Sequence, residues 1–271
     1  MNNAIKIFLC VILTSLSLSA MAGEGVMIKS KTKDLRNNGI SDSDIYISDS
    51  KVLLKNPGTG GGTILFDAST EVFTYIDDKR KEYYQFDKAT LTQLKEQVRM
   101  FAQMMKQFSS QMPEAQKQKL DMLLNPGSGS SIEYKSISGG EKIKSWNTNK
   151  YEGYSDGSKI LDLNLASYET LGIDAAKFSV LKKMLTFAKE NLQEIASLLP
   201  AGGALSQFSF DKESPILRDG IPVKTKTYKN GVAKNENVVE SVVLMSIPNS
   251  QFSIPQGYVR KKIDIQNQLG K

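Results

Sequence analysis

The sequence predicts an α+β fold: one large antiparallel sheet, interrupted by two long helical insertions that lie over the same concave face. Two observations carry that expectation. Short runs of apolar, β-branched and aromatic residues recur between Gly, Asn, Asp and Pro punctuation, which is the pattern of strands and tight turns. Two longer segments instead repeat apolar residues at alternating steps of three and four, the period of a single helix face. An antiparallel sheet commonly buries one face and each helix carries one apolar stripe, so the helices are expected to cover the same side.

Taken in order, residues 26–32, 44–48 and 51–55 read as strands, and the cluster Asn56-Pro57-Gly58-Thr59-Gly60-Gly61-Gly62 can hold neither helix nor sheet. Residues 63–66 form the next strand. Residues 71–76 and 82–86 then flank the charged segment Asp77-Asp78-Lys79-Arg80-Lys81, giving a hairpin. Asp87 can cap a helix, along which Leu91, Leu94, Val98, Phe101, Met105, Phe108 and Met112 form one stripe before Pro113. A shorter helix over 114–124 follows, so the first insertion spans about 88–124. Further strands are expected at 132–137 and within 151–165. The second insertion, 174–199, carries the stripe Phe178, Leu181, Leu185, Ala188, Leu192, Ile195 and Leu199, and ends at Pro200-Ala201-Gly202-Gly203. Residues 221–228 and 238–247 read as a hairpin around Asn230-Gly231, and a short last strand lies near 258–263.

The first residues carry one positive charge, Lys6, followed by an apolar run from Ile7 to Leu13 and small residues, with Ala20-Met21-Ala22 where a signal peptidase needs them. Cleavage is expected between Ala22 and Gly23, leaving residues 23–271 as a single domain. The apolar run is too short to span a bilayer comfortably, and no later segment is apolar enough to be transmembrane. Cys10 lies inside the run after Phe8-Leu9 rather than at its end, so it is not read as a lipidation site. The exported chain then holds neither cysteine nor histidine, which removes disulfides, the softer metal ligands and the usual general base. The expected location is the periplasm, with secretion as the second option. The net charge of +6 becomes +5 once Lys6 leaves, and the pI is near 9.1. That moderate excess points to anionic headgroups or envelope polymers before nucleic acid, and it equally suits a charge that only keeps the protein soluble.

No constellation singles out catalytic, cofactor-binding or metal-binding residues, so no cofactor and no enzyme activity are expected. The glycines at 58–62 are followed by a strand instead of a helix N-terminus, which a phosphate cradle would need. Asp42, Asp44, Asp77 and Asp78 belong to no complete calcium loop and read as turn residues. Methionine gives the hint of binding: Met100, Met104, Met105, Met112 and Met122 gather beside Phe101 and Phe108, with Met184 in the second insertion. Flexible, polarizable side chains suit varied apolar partners, although such a stripe also suits an ordinary core. Phe101, Met105, Phe108 and Met112 are therefore the candidate lining of an apolar ligand site. The basic groups Lys79-Arg80-Lys81, Lys182-Lys183 and Arg260-Lys261-Lys262 could hold an anionic headgroup if two of them met at a cavity mouth.

Several segments in order carry a family resemblance: Ile64-Leu65-Phe66-Asp67, Phe73-Thr74-Tyr75-Ile76-Asp77, Lys81-Glu82-Tyr83, Tyr151-Glu152-Gly153-Tyr154, Gly220-Ile221-Pro222-Val223 and Phe252-Ser253-Ile254-Pro255-Gln256-Gly257-Tyr258. The chain resembles an uncharacterised family of exported bacterial proteins similar to the periplasmic lipoprotein carriers of LolA/LolB type. The resemblance implies an incomplete antiparallel barrel whose concave side, lidded by helices, holds a lipid or acyl-chain ligand. It departs from the carriers in the larger helical region at 87–124, and it carries over no ligand-contacting residue. The expected function is thus a non-enzymatic periplasmic binding or carrier protein for a lipid-like or other apolar ligand. The alternative is a cell-envelope interaction module with a filled core, docking a protein partner through hairpin tips near Lys79 or Asn230.

Overall fold

The computed structural model describes residues 23–56, 62–107, 132–192 and 214–263. From Gly23 the chain runs through a meander of antiparallel strands: β1 (Gly23–Asp34), β2 (Ile40–Ile47), β3 (Lys51–Lys55), β4 (Thr63–Asp67), β5 (Val72–Asp77) and β6 (Glu82–Phe86). The Asp87 carboxylate then accepts the Thr90 N–H at 2.7 Å and starts helix α1 (Lys88–Gln107). Beyond it come β7 (Glu133–Ile137), a small hairpin of β8 (Lys142–Ile143) and β9 (Trp146–Asn147), then β10 (Asn149–Ser155) and β11 (Ser158–Ala166). Asp156 (φ 49) and Gly157 (φ 71) close the β10–β11 hairpin, both in the left-handed region that its tight turn requires. Helix α2 (Tyr168–Leu171), a 3-10 turn (Ala175–Phe178) and helix α3 (Ser179–Asn191) follow. The chain ends in β12 (Ile221–Lys229), β13 (Val232–Ile247), a 3-10 turn (Asn249–Phe252) and β14 (Val259–Arg260).

Among the described residues the main sheet has twelve strands in the order β14-β6-β5-β4-β3-β2-β1-β13-β12-β11-β10-β7, and it does not close into a barrel. Its seam is the pairing of β1 with β13, which runs from Gly23 opposite Ile247 to Asp34 opposite Asn235. That seam joins the N-terminal meander to the C-terminal hairpins. The sheet is mixed where an all-antiparallel one was predicted, because β14 lies parallel to β6. The cause is the connection: after Ile247 the chain crosses the sheet and returns to the level of Glu82, where β6 begins, so both strands run the same way.

The expectation of a single buried face also needs correction. On the helix-covered face Val52, Leu54, Ile64, Phe66, Phe73 and Tyr75 pack with Leu91, Leu94 and Val98 of α1 and Met184, Phe187 and Ala188 of α3. The Phe66 and Phe187 rings lie 5.6 Å apart. On the opposite face Leu53, Leu65, Ile247 and Phe252 form a second cluster beneath the segment that leads to β14. The uninterrupted apolar runs Val52-Leu53-Leu54 and Ile64-Leu65-Phe66 mark strands buried on both sides.

The second insertion is interrupted as well. Asp174 accepts the Ala176 N–H at 2.8 Å and caps the 3-10 turn, and α3 begins only after Phe178, whose φ of −100° and ψ of 4° are not helical. Residues 1–22, the Gly-rich 57–61, the rest of the first insertion to 124, and Ile195 and Leu199 lie outside the described residues. Among the described residues no helix is long and apolar enough to cross a membrane.

Candidate functional site

Helix α3 presents two apolar faces. Val180, Met184, Phe187 and Ala188 are buried in the core. One step around the helix, Leu181 and Leu185 are half-buried and line a cavity of about 210 Å³ against the inner faces of β1, β2, β11, β12 and β13. The turn at Ile216 and Leu217 forms one wall. Two tyrosines fasten it: Tyr168 donates to the Leu217 carbonyl at 2.8 Å, and Tyr151 donates to the Asp219 carboxylate at 2.9 Å. Gly220 ends this turn at φ 146, and a Cβ there would stand 2.1 Å from the Ala166 carbonyl oxygen. The close approach therefore demands glycine.

The lining is graded along the strands, since side chains on one face recur every second residue. β1 contributes Ile28, then Ser30 and Thr32; β2 contributes Ile45, then Ser43. β13 contributes Val239, then Asn237 and Asn235, and β12 contributes Ile221, then Thr225 and Thr227. These four strands thus change from hydrocarbon to hydroxyl or amide in the same part of the sheet, whereas β11 contributes Leu161 and Leu163 opposite Thr227 and Thr225. Asn237 Nδ2 donates to Ser30 Oγ at 3.2 Å and to Thr32 Oγ1 at 2.9 Å, while the Ser30 and Ser43 hydroxyls are 2.8 Å apart. Asn235 Oδ1 is buried and, among the described residues, accepts no hydrogen bond. Lys55 is the charged residue of the lining, and its Nζ sits 5.3 Å from the centre of the Tyr46 ring.

Ionisable groups concentrate elsewhere. On the opposite face of β10 and β11, Lys159 is ion-paired at 2.6 Å with both Glu152 and Asp162. Burial pulls the Lys159 ammonium down, but these carboxylates outweigh it and hold it above its ordinary range. Tyr228 donates to Asp162 at 2.6 Å, and burial followed by that carboxylate pushes its hydroxyl up to about 12. A lysine so paired stays protonated, which suits a structural tie and not a general base. Asp77 accepts the Lys79 and Arg80 N–H groups at 3.0 Å, and Asp78 accepts from Thr63 and Tyr258, as turn residues do. Among the described residues no group of His, Cys, Asp and Glu side chains is arranged to hold a metal.

The residues named from sequence are placed as follows. Phe101 and Met105 are half-buried on α1 beyond Val98, and neither lines the cavity; Phe108 and Met112 lie outside the described residues. Met100 and Met104 face solvent at 61% and 50% exposure, whereas Met184 is core at 2%. Gly23 opens β1 opposite Ile247, and Ala22 is outside the described residues. The basic groups Lys79-Arg80-Lys81 and Arg260-Lys261-Lys262 do meet: Val259 N–H donates to Lys81 O at 3.0 Å and Lys261 N–H to Tyr83 O at 2.8 Å. They meet on the β6–β14 edge, away from the cavity strands, and Lys182 and Lys183 line a separate cleft on α3 with Lys88 and Glu190. Sequence reasoning missed the strand residues of the cavity. Their signal was the shift from apolar to Ser, Thr or Asn at alternate positions.

No family model matches the sequence, and no curated protein does. Among solved structures the chain is similar to PNGF-II, with a TM-score of 0.39 and 11% identity over 92% of its length. It is also similar to a LolA superfamily protein from Nitrosomonas europaea, with a TM-score of 0.25 and 7% identity over 87% of its length. The chain spans 33% of the PNGF-II chain and 91% of the LolA superfamily protein.

Proposed function

We propose that this protein is a non-enzymatic, periplasmic binding or carrier protein that shelters one small, largely apolar ligand between the sheet and α3. The observation that carries this reading is the cavity beneath Leu181 and Leu185, walled by Ile28, Ile45 and Val239. The cavity is partly open, so its volume sets the size of the enclosed part of the ligand. An apolar cavity of about 150 Å³ holds benzene, so 210 Å³ scales to roughly eight heavy atoms: a single short chain or ring, far smaller than a diacyl lipid. The expected export signal, the absence of histidine and the sequence resemblance to lipoprotein carriers are in keeping with it.

Native mass spectrometry of protein purified gently from the periplasm tests the reading. The expected result is a reproducible excess over the mass calculated for residues 23–271, lost on denaturation and missing from a folded Leu185→Trp variant whose indole fills the space. The bare calculated mass in both proteins would sink it. The cationic β6–β14 edge favours a second reading, an interaction module that docks an acidic envelope partner. In-cell crosslinking from Lys79 or Lys262 would then trap one dominant protein, and a diffuse pattern would count against it.

A further inference from the structure

We infer that the cavity selects a ligand whose head group is uncharged and donates a hydrogen bond, such as an alcohol, over a carboxylate or phosphate on the same chain. This inference rests on the ligand-binding reading and adds the chemistry of the ligand's polar end. Its first support is the graded lining. Ser30, Thr32, Ser43, Thr225, Thr227, Asn235 and Asn237 line the polar end, bordered by Leu161 of β11, and every one of them is neutral. An anionic head moved there from water would lose its hydration and need a cation or several donors in exchange. The available cation, Lys55, holds its ammonium over the Tyr46 ring, and Tyr46 packs in the cluster on the other face of the sheet.

The second support is the state of the existing hydrogen bonds. The Asn237 amide hydrogens are already engaged with Ser30 Oγ and Thr32 Oγ1, and one of the Ser30 and Ser43 hydroxyls donates to the other. Among the buried polar atoms of the described lining, the one without a partner is an acceptor, Asn235 Oδ1. A buried acceptor without a donor is costly, and a ligand hydroxyl placed there removes the cost. A carboxylate oxygen placed at Asn235 Oδ1 would instead set one acceptor against another. The apolar part of the same ligand lies against Ile28, Ile45, Leu181, Leu185 and Val239.

The test is calorimetric titration of the exported chain with three probes of matched size: heptan-1-ol, 1-methoxyhexane and heptanoate. The alcohol is expected to bind tighter than the ether, which accepts but cannot donate, by about threefold to tenfold. Heptanoate at neutral pH is expected to bind at least about tenfold more weakly than the alcohol. In an Asn235→Leu variant the alcohol-to-ether ratio falls to about one. Equal binding of alcohol and heptanoate, or tighter binding of heptanoate, overturns the head-group inference while leaving the ligand-binding reading in place. Failure of all three probes overturns both.

Discussion

Asp34 ends β1 with its carboxylate inside a fork of donors from Arg36: the backbone N–H at 2.9 Å, Nε at 3.0 Å and Nη2 at 2.7 Å. These hydrogen bonds, the side-chain ones first, lower its pKa from 3.8 to about 2. A carboxyl that is more acidic folded than unfolded binds protons more readily in the unfolded chain, so it stabilises the fold above its unfolded pKa. The contribution is expected to be complete above about pH 4 and to fade as the pH falls toward about 2. Urea melts of wild type and Asp34→Asn at stepped pH check this: the variant should be less stable at pH 7, and the gap should close on acidification. At Gly220 the expected effect is steric. Gly220→Ala meets the Ala166 carbonyl and a φ of 146, and should cost about 2 kcal/mol or more, read as a lower urea midpoint at unchanged slope.

At the scale of elements, the segment from Ile247 to β14 does what neither helix does, since it covers the outer face of β3 and β4. Phe252 is its anchor at 4% exposure, against Leu53 and Leu65. Phe252→Ala should cost about 3–5 kcal/mol, and hydrogen exchange should show the loss first as faster exchange in β3 and β4. Helix α3 divides its work between core and cavity, with Met184 and Phe187 on one side and Leu181 and Leu185 on the other. Phe187→Ala is therefore expected to destabilise by several kcal/mol, whereas Leu181→Ala, which only enlarges an existing cavity, should cost less. Thermal melts of the two variants provide the comparison.

For the molecule as a whole, the β1–β13 seam makes one sheet of two halves that are far apart in the chain. Trp146, the single tryptophan, sits on β9 against the main core, in the C-terminal half. If the seam couples the halves, unfolding followed by Trp146 fluorescence and by far-UV circular dichroism should coincide in a single transition. Phe252→Ala, which strikes the meander, should then lower the Trp146-detected midpoint as well. Two separated transitions would show that the halves fold independently.

Much of the local structure was legible in the residues themselves. Lys51–Lys55 and Glu82–Phe86 occupy the expected strand positions, Asn230 and Gly231 form their turn, and Asp87 caps α1, because each depends on neighbouring residues whose chemistry is written in order. Periodicity also placed α1 and the stripe that buries Leu91, Leu94 and Val98. The parallel β14, the covered outer face and the cavity were decided by tertiary structure. The register of β1 against β13 joins residues more than two hundred positions apart, and no local pattern records that pairing. The graded cavity follows from it. Ser30, Asn237 and Thr225 each read as an ordinary polar position on a half-buried strand, and only the assembled sheet brings them to one place.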